Sequence, residues 1–194
     1  DAAAMSAAVA AVEEQLGAIS ILVQNAGIAT AAPLSKTDDE TWKRIFDVNV
    51  TAPFRLCREL LPKMAKSGFG RIVNVASTAG LTGFSYASAY SASKHALIGL
   101  TRSLALEFAP KGVTVNAVCP GFLDTEMTRR AVAAIVEKTG RAPAAAEAAL
   151  AGFNPQKRLI LSDEVATVVS MLVREDARSV NGAAIPIDGG QLMR

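Results

Sequence analysis

Tyr90 and Lys94 stand four residues apart, about one helical turn, so on a helix their side chains leave one face and meet. A phenol beside an ammonium is the raw material of acid–base catalysis. Tyrosine titrates near 10 in water, a neighbouring positive charge favours the phenolate, and a phenol tuned toward neutral pH exchanges a proton with a carbonyl or alcohol oxygen. Ser77 follows an apolar run, and a hydroxyl at the end of a strand can hydrogen-bond that same oxygen as charge develops on it. A tyrosine and lysine at this spacing are, alone, more often a solvated helix face. The surroundings change the balance, because Asn25-Ala26-Gly27 and Pro120-Gly121 also close apolar runs.

The elements that must hold these residues follow from periodicity. Residues 2–16 repeat Met5, Val9, Val12 and Leu16 at helical spacing before Gly17. Helices are also expected from about Asp38 to Lys66, from Ser88 to Phe108 and from Asp163 to Arg174, the first with acids at its start and lysines at its end. Short β-branched runs at Ile19–Val23, Arg71–Ala76, Val113–Val118 and Ala183–Ile187 read as buried strands. Strand and helix alternate, which predicts a single α/β domain, a doubly wound parallel sheet of Rossmann-like type with helices on both faces. Ligands of such sheets bind beyond the carboxyl ends of the strands, and every polar or glycine cluster named above lies at one of those ends. Proline at position 53 removes the N–H that would bond the carbonyl of Asn49, so the helix should kink there and leave that carbonyl open to water, or simply bend around the sheet.

The chain has 194 residues, 51% of them hydrophobic, and a net charge of +2. That supports one core and gives no nucleic-acid footprint. No apolar run approaches the roughly 20 residues of a membrane span. Cys57 and Cys119 lie apart in apolar surroundings, which argues against a disulfide framework or a zinc site and for a reducing, cytoplasmic setting. One carboxylate at Asp188 is not a metal cage. His95 should point away from the Tyr90 face, and Trp42, Phe46 and Phe54 read as packing or subunit contact.

The run Leu22-Val23-Gln24-Asn25-Ala26-Gly27 resembles the N-N-A-G signature of the short-chain dehydrogenases/reductases, and Asn49, Ser77, Tyr90 and Lys94 resemble that family's Asn-Ser-Tyr-Lys tetrad in order and spacing. The resemblance implies an NAD- or NADP-dependent oxidoreductase that interconverts a carbonyl and a secondary alcohol by hydride transfer. Tyr90 would be the general acid/base, Ser77 would orient the substrate carbonyl, and Lys94 would lower the tyrosine pKa and hold the nicotinamide ribose. Asn49 would anchor a relay water. Asn25, Ala26 and Gly27 would lie beside the cofactor ribose, and after Pro120-Gly121 the backbone of Leu123 and the hydroxyl of Thr125 would meet the carboxamide. Gln24 departs from the signature's first asparagine. The family's opening strand and glycine-rich phosphate loop have no counterpart here, which predicts poor cofactor binding by these residues alone; a non-catalytic binding or structural subunit is the alternative if the gene begins at Asp1.

Residues 122–158 form a long connection at the ligand edge, expected to be a substrate lid. Its bases, Arg129, Arg130, Lys138, Arg141, Lys157 and Arg158, suit the phosphates of a carrier thioester or an ordinary solvated face. A hydroxyacyl thioester or a small hydroxy acid is the expected substrate class by analogy. The helices at 38–66 and 88–108 carry apolar residues over more than one face. A homo-oligomer, tetramer or dimer, is therefore expected; sedimentation at micromolar concentration should give a multiple of the chain mass, and a monomer would contradict it.

Overall fold

The computed structural model describes residues 1–193. Four parallel strands, β1 (Ile21–Gln24), β2 (Gly70–Val75), β3 (Val113–Pro120) and β4 (Ala184–Ile187), pair in the order β1-β2-β3-β4. Helices fill the connections: α2 (Asp39–Phe46) and α3 (Ala52–Ser67) between β1 and β2, α4 (Ser88–Phe108) between β2 and β3, and α5 (Glu126–Thr139), α6 (Pro143–Ala151) and α7 (Ser162–Leu172) between β3 and β4. Helix α1 (Ala2–Leu16) precedes the sheet and starts at Asp1, whose carboxylate accepts the Ala3 N–H at 2.9 Å.

Consecutive residues of a strand face opposite ways, and Ile72 and Val73 show where each face goes. Ile72 packs with Val9 of α1, Leu60, Leu61 and Met64 of α3 and Phe108 of α4. Val73 packs with Val118, Val165 and Leu172 on the α7 side. Covered on both faces, β3 is buried along its whole length, and apolar residues dominate it on either side of the buried Thr114 and Asn116. The expected α/β architecture is present. No helix among the described residues is long and apolar enough to cross a membrane.

The expected single helix from Asp38 to Lys66 is instead two helices joined by a π turn at Asp47–Thr51, across which the Ala52 N–H bonds the Asp47 carbonyl. Pro53 supplies the reason. With no N–H at 53, an α-pattern bond to the Asn49 carbonyl cannot form, so the chain widens by one residue and Pro53 falls in the first turn of α3, where no N–H is needed. The widened turn holds the fully buried Asn49. Gln24, the departure from the family signature, uses its extra methylene to reach across the layers. Its amide donates to Asn74 Oδ1 at 3.0 Å and lies 3.3 Å from Cys57 Sγ; Asn74 donates onward to Thr101 at 2.8 Å, which donates to the Leu97 carbonyl. This buried polar chain fixes β1 and β2 against α3 and α4 directly beneath the site.

Candidate active site

Three strand ends and one helix build the site. Ser77 leaves β2 in extended conformation, and its hydroxyl accepts the Ala79 N–H at 3.1 Å, starting a short 3-10 turn over Thr78–Gly80. That turn lies hard against α4. A Cβ added at Gly80 would come within 2.8 Å of the Lys94 carbonyl and of Ile98 Cδ1, so only glycine allows the approach that puts Ser77 beside the first turns of α4.

On α4, Tyr90 and Lys94 share a face as their spacing requires, with the Lys94 ammonium 5.7 Å from the Tyr90 ring centre. The ammonium donates to the Val75 carbonyl at the end of β2, 2.8 Å away. Lys94 is buried, and loss of solvation pulls its pKa down from 10.5 to about 8. Burial pushes the Tyr90 phenol above its ordinary value of 10, and the hydrogen bond with the Ser77 hydroxyl works the other way. The direction is opposite to the lowering expected from Lys94: desolvation is the larger effect on the phenol, and the ammonium is turned to the strand carbonyl. Cys119, buried at the end of β3, is pushed up to about 11 by burial, with the Ser77 N–H and the Lys94 charge opposing.

Asn49 draws the β1 loop into the same place. Its Oδ1 accepts the Ile28 N–H and its Nδ2 donates to the Ile28 carbonyl, both at 2.9 Å, and Nδ2 also reaches Ser93 Oγ at 3.0 Å. Ser93 in turn donates to the Tyr90 carbonyl at 2.7 Å. With its side chain spent on protein groups, Asn49 positions the loop, and a relay water would have to use its main-chain carbonyl. Just before Ile28, a Cβ at Gly27 would lie 3.3 Å from Lys94 Nζ and 3.4 Å from Asn49 Oδ1. Asn25 and Ala26 remain exposed beside it.

At the end of β3, Pro120 pairs with Ile187 and the Gly121 N–H donates to the Ile187 carbonyl at 3.0 Å. Leu123 bridges to Ile160 and packs on the α7 side of the sheet. Thr125 stands at the N-cap of α5 but makes no side-chain cap bond, so its hydroxyl is not committed to the helix. Asp188 accepts from the Gly190 and Leu192 N–H groups, both at 2.9 Å, and so closes a turn. His95 is exposed and bonds the Ser91 carbonyl. Tyr86 is two-thirds exposed at a φ of 64°, its carbonyl accepting the Ala32 N–H.

Residues 1–135 match the family model described as short chain dehydrogenase. The chain belongs to that family. Among its relatives, an oxidoreductase of Bacillus subtilis (strain 168), YxjF, is 42% identical over 181 residues, covering 92% of this chain and 70% of the relative. The 3-oxoacyl-[acyl-carrier-protein] reductase MabA of Mycobacterium tuberculosis (strain ATCC 25618 / H37Rv) is 38% identical over 193 residues, covering 100% of this chain and 74% of MabA. The crystal structure of an actinorhodin polyketide ketoreductase variant with NADPH superposes with a TM-score of 0.94 at 36% identity, covering 98% of this chain and 74% of that one. As a short-chain dehydrogenase the protein is an NAD(P)-dependent oxidoreductase acting on CH–OH groups.

The residues present fit the nicotinamide–ribose half of such a cofactor. Gly27 leaves an opening that any side chain would fill against Lys94 and Asn49, the Thr125 hydroxyl is uncommitted, and Gln191 Oε1 is buried without a partner where a Cβ on Gly121 would lie 3.1 Å away. Ser93 and Gln191 escaped the sequence reading. Ser93 adjoins Lys94, but its partner Asn49 is 44 residues away, and no local pattern announces such a bond.

Lys94 ties stability to pH. Its folded pKa, about 8, lies below the unfolded value near 10.5. Below pH 8 both states carry the proton and the folded one bears the cost of a buried charge; between 8 and 10.5 the unfolded state binds more protons, so stability rises with pH. The stability of Lys94→Met relative to wild type should therefore decline as pH is raised from 7 to 10. Urea midpoints of the two proteins check this, and parallel pH profiles would contradict it.

Proposed function

We propose that Tyr90, Ser77 and Lys94 carry out proton transfer during interconversion of a ketone and a secondary alcohol. The observation that supports it is the convergence, on one sheet edge, of a half-buried phenol, the Ser77 hydroxyl that acts on its pKa and a buried ammonium. When bound, the nicotinamide cofactor supplies or accepts the hydride. In the reducing direction Tyr90 donates its proton to the carbonyl oxygen, and Ser77 donates a hydrogen bond that strengthens as negative charge develops there. A raised phenol pKa keeps Tyr90 protonated at neutral pH, the form a general acid requires. Lys94, largely protonated below pH 8, favours the phenolate left behind, and the ribose of the cofactor is the proposed alternative partner for its ammonium. Asn49 fixes the Asn25–Gly27 loop against Lys94, and its main-chain carbonyl, to which Pro53 cannot donate, is the proposed anchor of a relay water. Pro120, Gly121, Leu123 and Thr125 are proposed to receive the carboxamide.

We read residues 122–158 as the substrate lid. MabA is named for a 3-oxoacyl-carrier thioester, and likeness to it supports a hydroxyacyl or oxoacyl substrate here. Cytoplasmic location and a tetrameric or dimeric assembly complete the proposal. In the full-length protein, Tyr90→Phe removes the proton donor alone, so turnover should fall by about 10²-fold or more while nicotinamide affinity, measured by fluorescence titration, holds. Retained turnover would overturn the assignment.

A further inference from the structure

Three phenylalanines from three separate loops meet at the ligand edge. Phe84 lies between the 3-10 turn that Ser77 caps and the start of α4, Phe122 directly follows Gly121, and Phe153 follows α6 at the far end of the lid. Their ring centres are 6.1 Å (Phe84–Phe122), 5.9 Å (Phe84–Phe153) and 5.5 Å (Phe122–Phe153) apart, with Phe84 edge-on to Phe122. Each pair lies within the range of favourable aromatic contact. The cluster is not core: Phe153 remains 46% exposed and the other two are only partly buried. A partly open apolar surface built from the loops that join Ser77 to Tyr90 and follow Gly121 has the composition usual for a small-molecule pocket.

The charge inventory of the same edge is one-sided. Residues 72–93 contain no Asp, Glu, Lys or Arg, and neither do residues 25–35 or 112–123. Lys94 is held by the Val75 carbonyl, and both oxygens of Asp188 are occupied by its own turn. In the lid, Arg129 pairs with Asp124 and Glu126, Arg130 with Glu126, and Arg158 with Glu164. Lys138, Arg141 and Lys157 of the lid are exposed to solvent, and a substrate carboxylate next to the reacting carbon would lose its water with no cation in the stretches that directly follow β1, β2 and β3 to replace it, which is costly.

We infer that the substrate is a neutral ketone or its alcohol, carrying an aryl or extended apolar group that seats on Phe84, Phe122 and Phe153, and that small hydroxy and keto acids are excluded. The inference rests on the reading of Ser77 and Tyr90 as the proton-transfer site. It separates the two substrate classes that the sequence leaves open, because an oxoacyl ester or thioester is neutral beside its ketone and a hydroxy acid is not.

The test compares kcat/KM of the full-length protein, with NADPH and with NADH, for ethyl benzoylacetate and for acetoacetate. The expected ratio favours the neutral aryl ester by about 10-fold or more, the scale on which apolar pockets discriminate. Phe153→Ala should lower that ratio at least threefold and Phe153→Trp should restore it. A wild-type ratio of one or less, turnover of neither probe, or a ratio unmoved in Phe153→Ala would overturn the inference. Tyr90→Phe, assayed on the better probe, distinguishes the other failure: retained turnover there refutes the proton-transfer reading and leaves the selectivity ratio standing.

Discussion

The Asn49 amide, buried on the π turn between α2 and α3, satisfies both the N–H and the carbonyl of Ile28 while still reaching Ser93. Each such bond contributes about 1 kcal/mol net; removing the amide would also strand buried partners, which costs more. The geometry of the site hangs on this one group. The loop after β1 has no regular structure of its own; the Ala32 N–H ties its far end to the Tyr86 carbonyl, and Asn49 holds the stretch beside Gly27 near Lys94. Through Ser93 the same amide touches the backbone of Tyr90, so the cofactor-side loop and the acid–base helix share one anchor. The π turn is what allows it, and Pro53 is what makes the π turn.

Around that anchor the protein carries groups a purely structural design would omit. Lys94 is buried with a single hydrogen bond, to the Val75 carbonyl, and its charge is destabilising at neutral pH. Buried ionisable groups of this kind gather where function requires them. Tyr90 is shifted the other way by the same desolvation, so phenol and ammonium are driven toward their neutral forms together. A ligand that completes the solvation of the ammonium would reverse part of this, and a glycine at 27 keeps any side chain from crowding the ammonium, which a Cβ there would approach to 3.3 Å.

Periodicity alone gave the alternation of strands and helices, with α1 (2–16) and α4 (88–108) at their observed bounds and the strands within two residues, because burial on both sheet faces imprints directly on apolar runs. The site residues were legible for a related reason: Tyr90 and Lys94 are local on one helix, and Ser77, Gly27 and Gly121 each follow a strand. Three things were not. The π turn depends on how Pro53 redistributes hydrogen bonds, the direction of the Tyr90 shift depends on how deeply the phenol is buried, and the Phe84–Phe122–Phe153 cluster joins residues far apart in sequence. Each is a property of tertiary packing that no window of sequence contains.

The proposed chemistry requires one substrate oxygen to be shared by Tyr90 and Ser77. A crystal structure of the full-length protein with NADP and a product alcohol tests it most directly. The alcohol oxygen is expected within hydrogen-bond distance, roughly 2.5–3.2 Å, of both Tyr90 Oη and Ser77 Oγ. An alcohol oxygen bound to neither hydroxyl, with the cofactor in place, would contradict it.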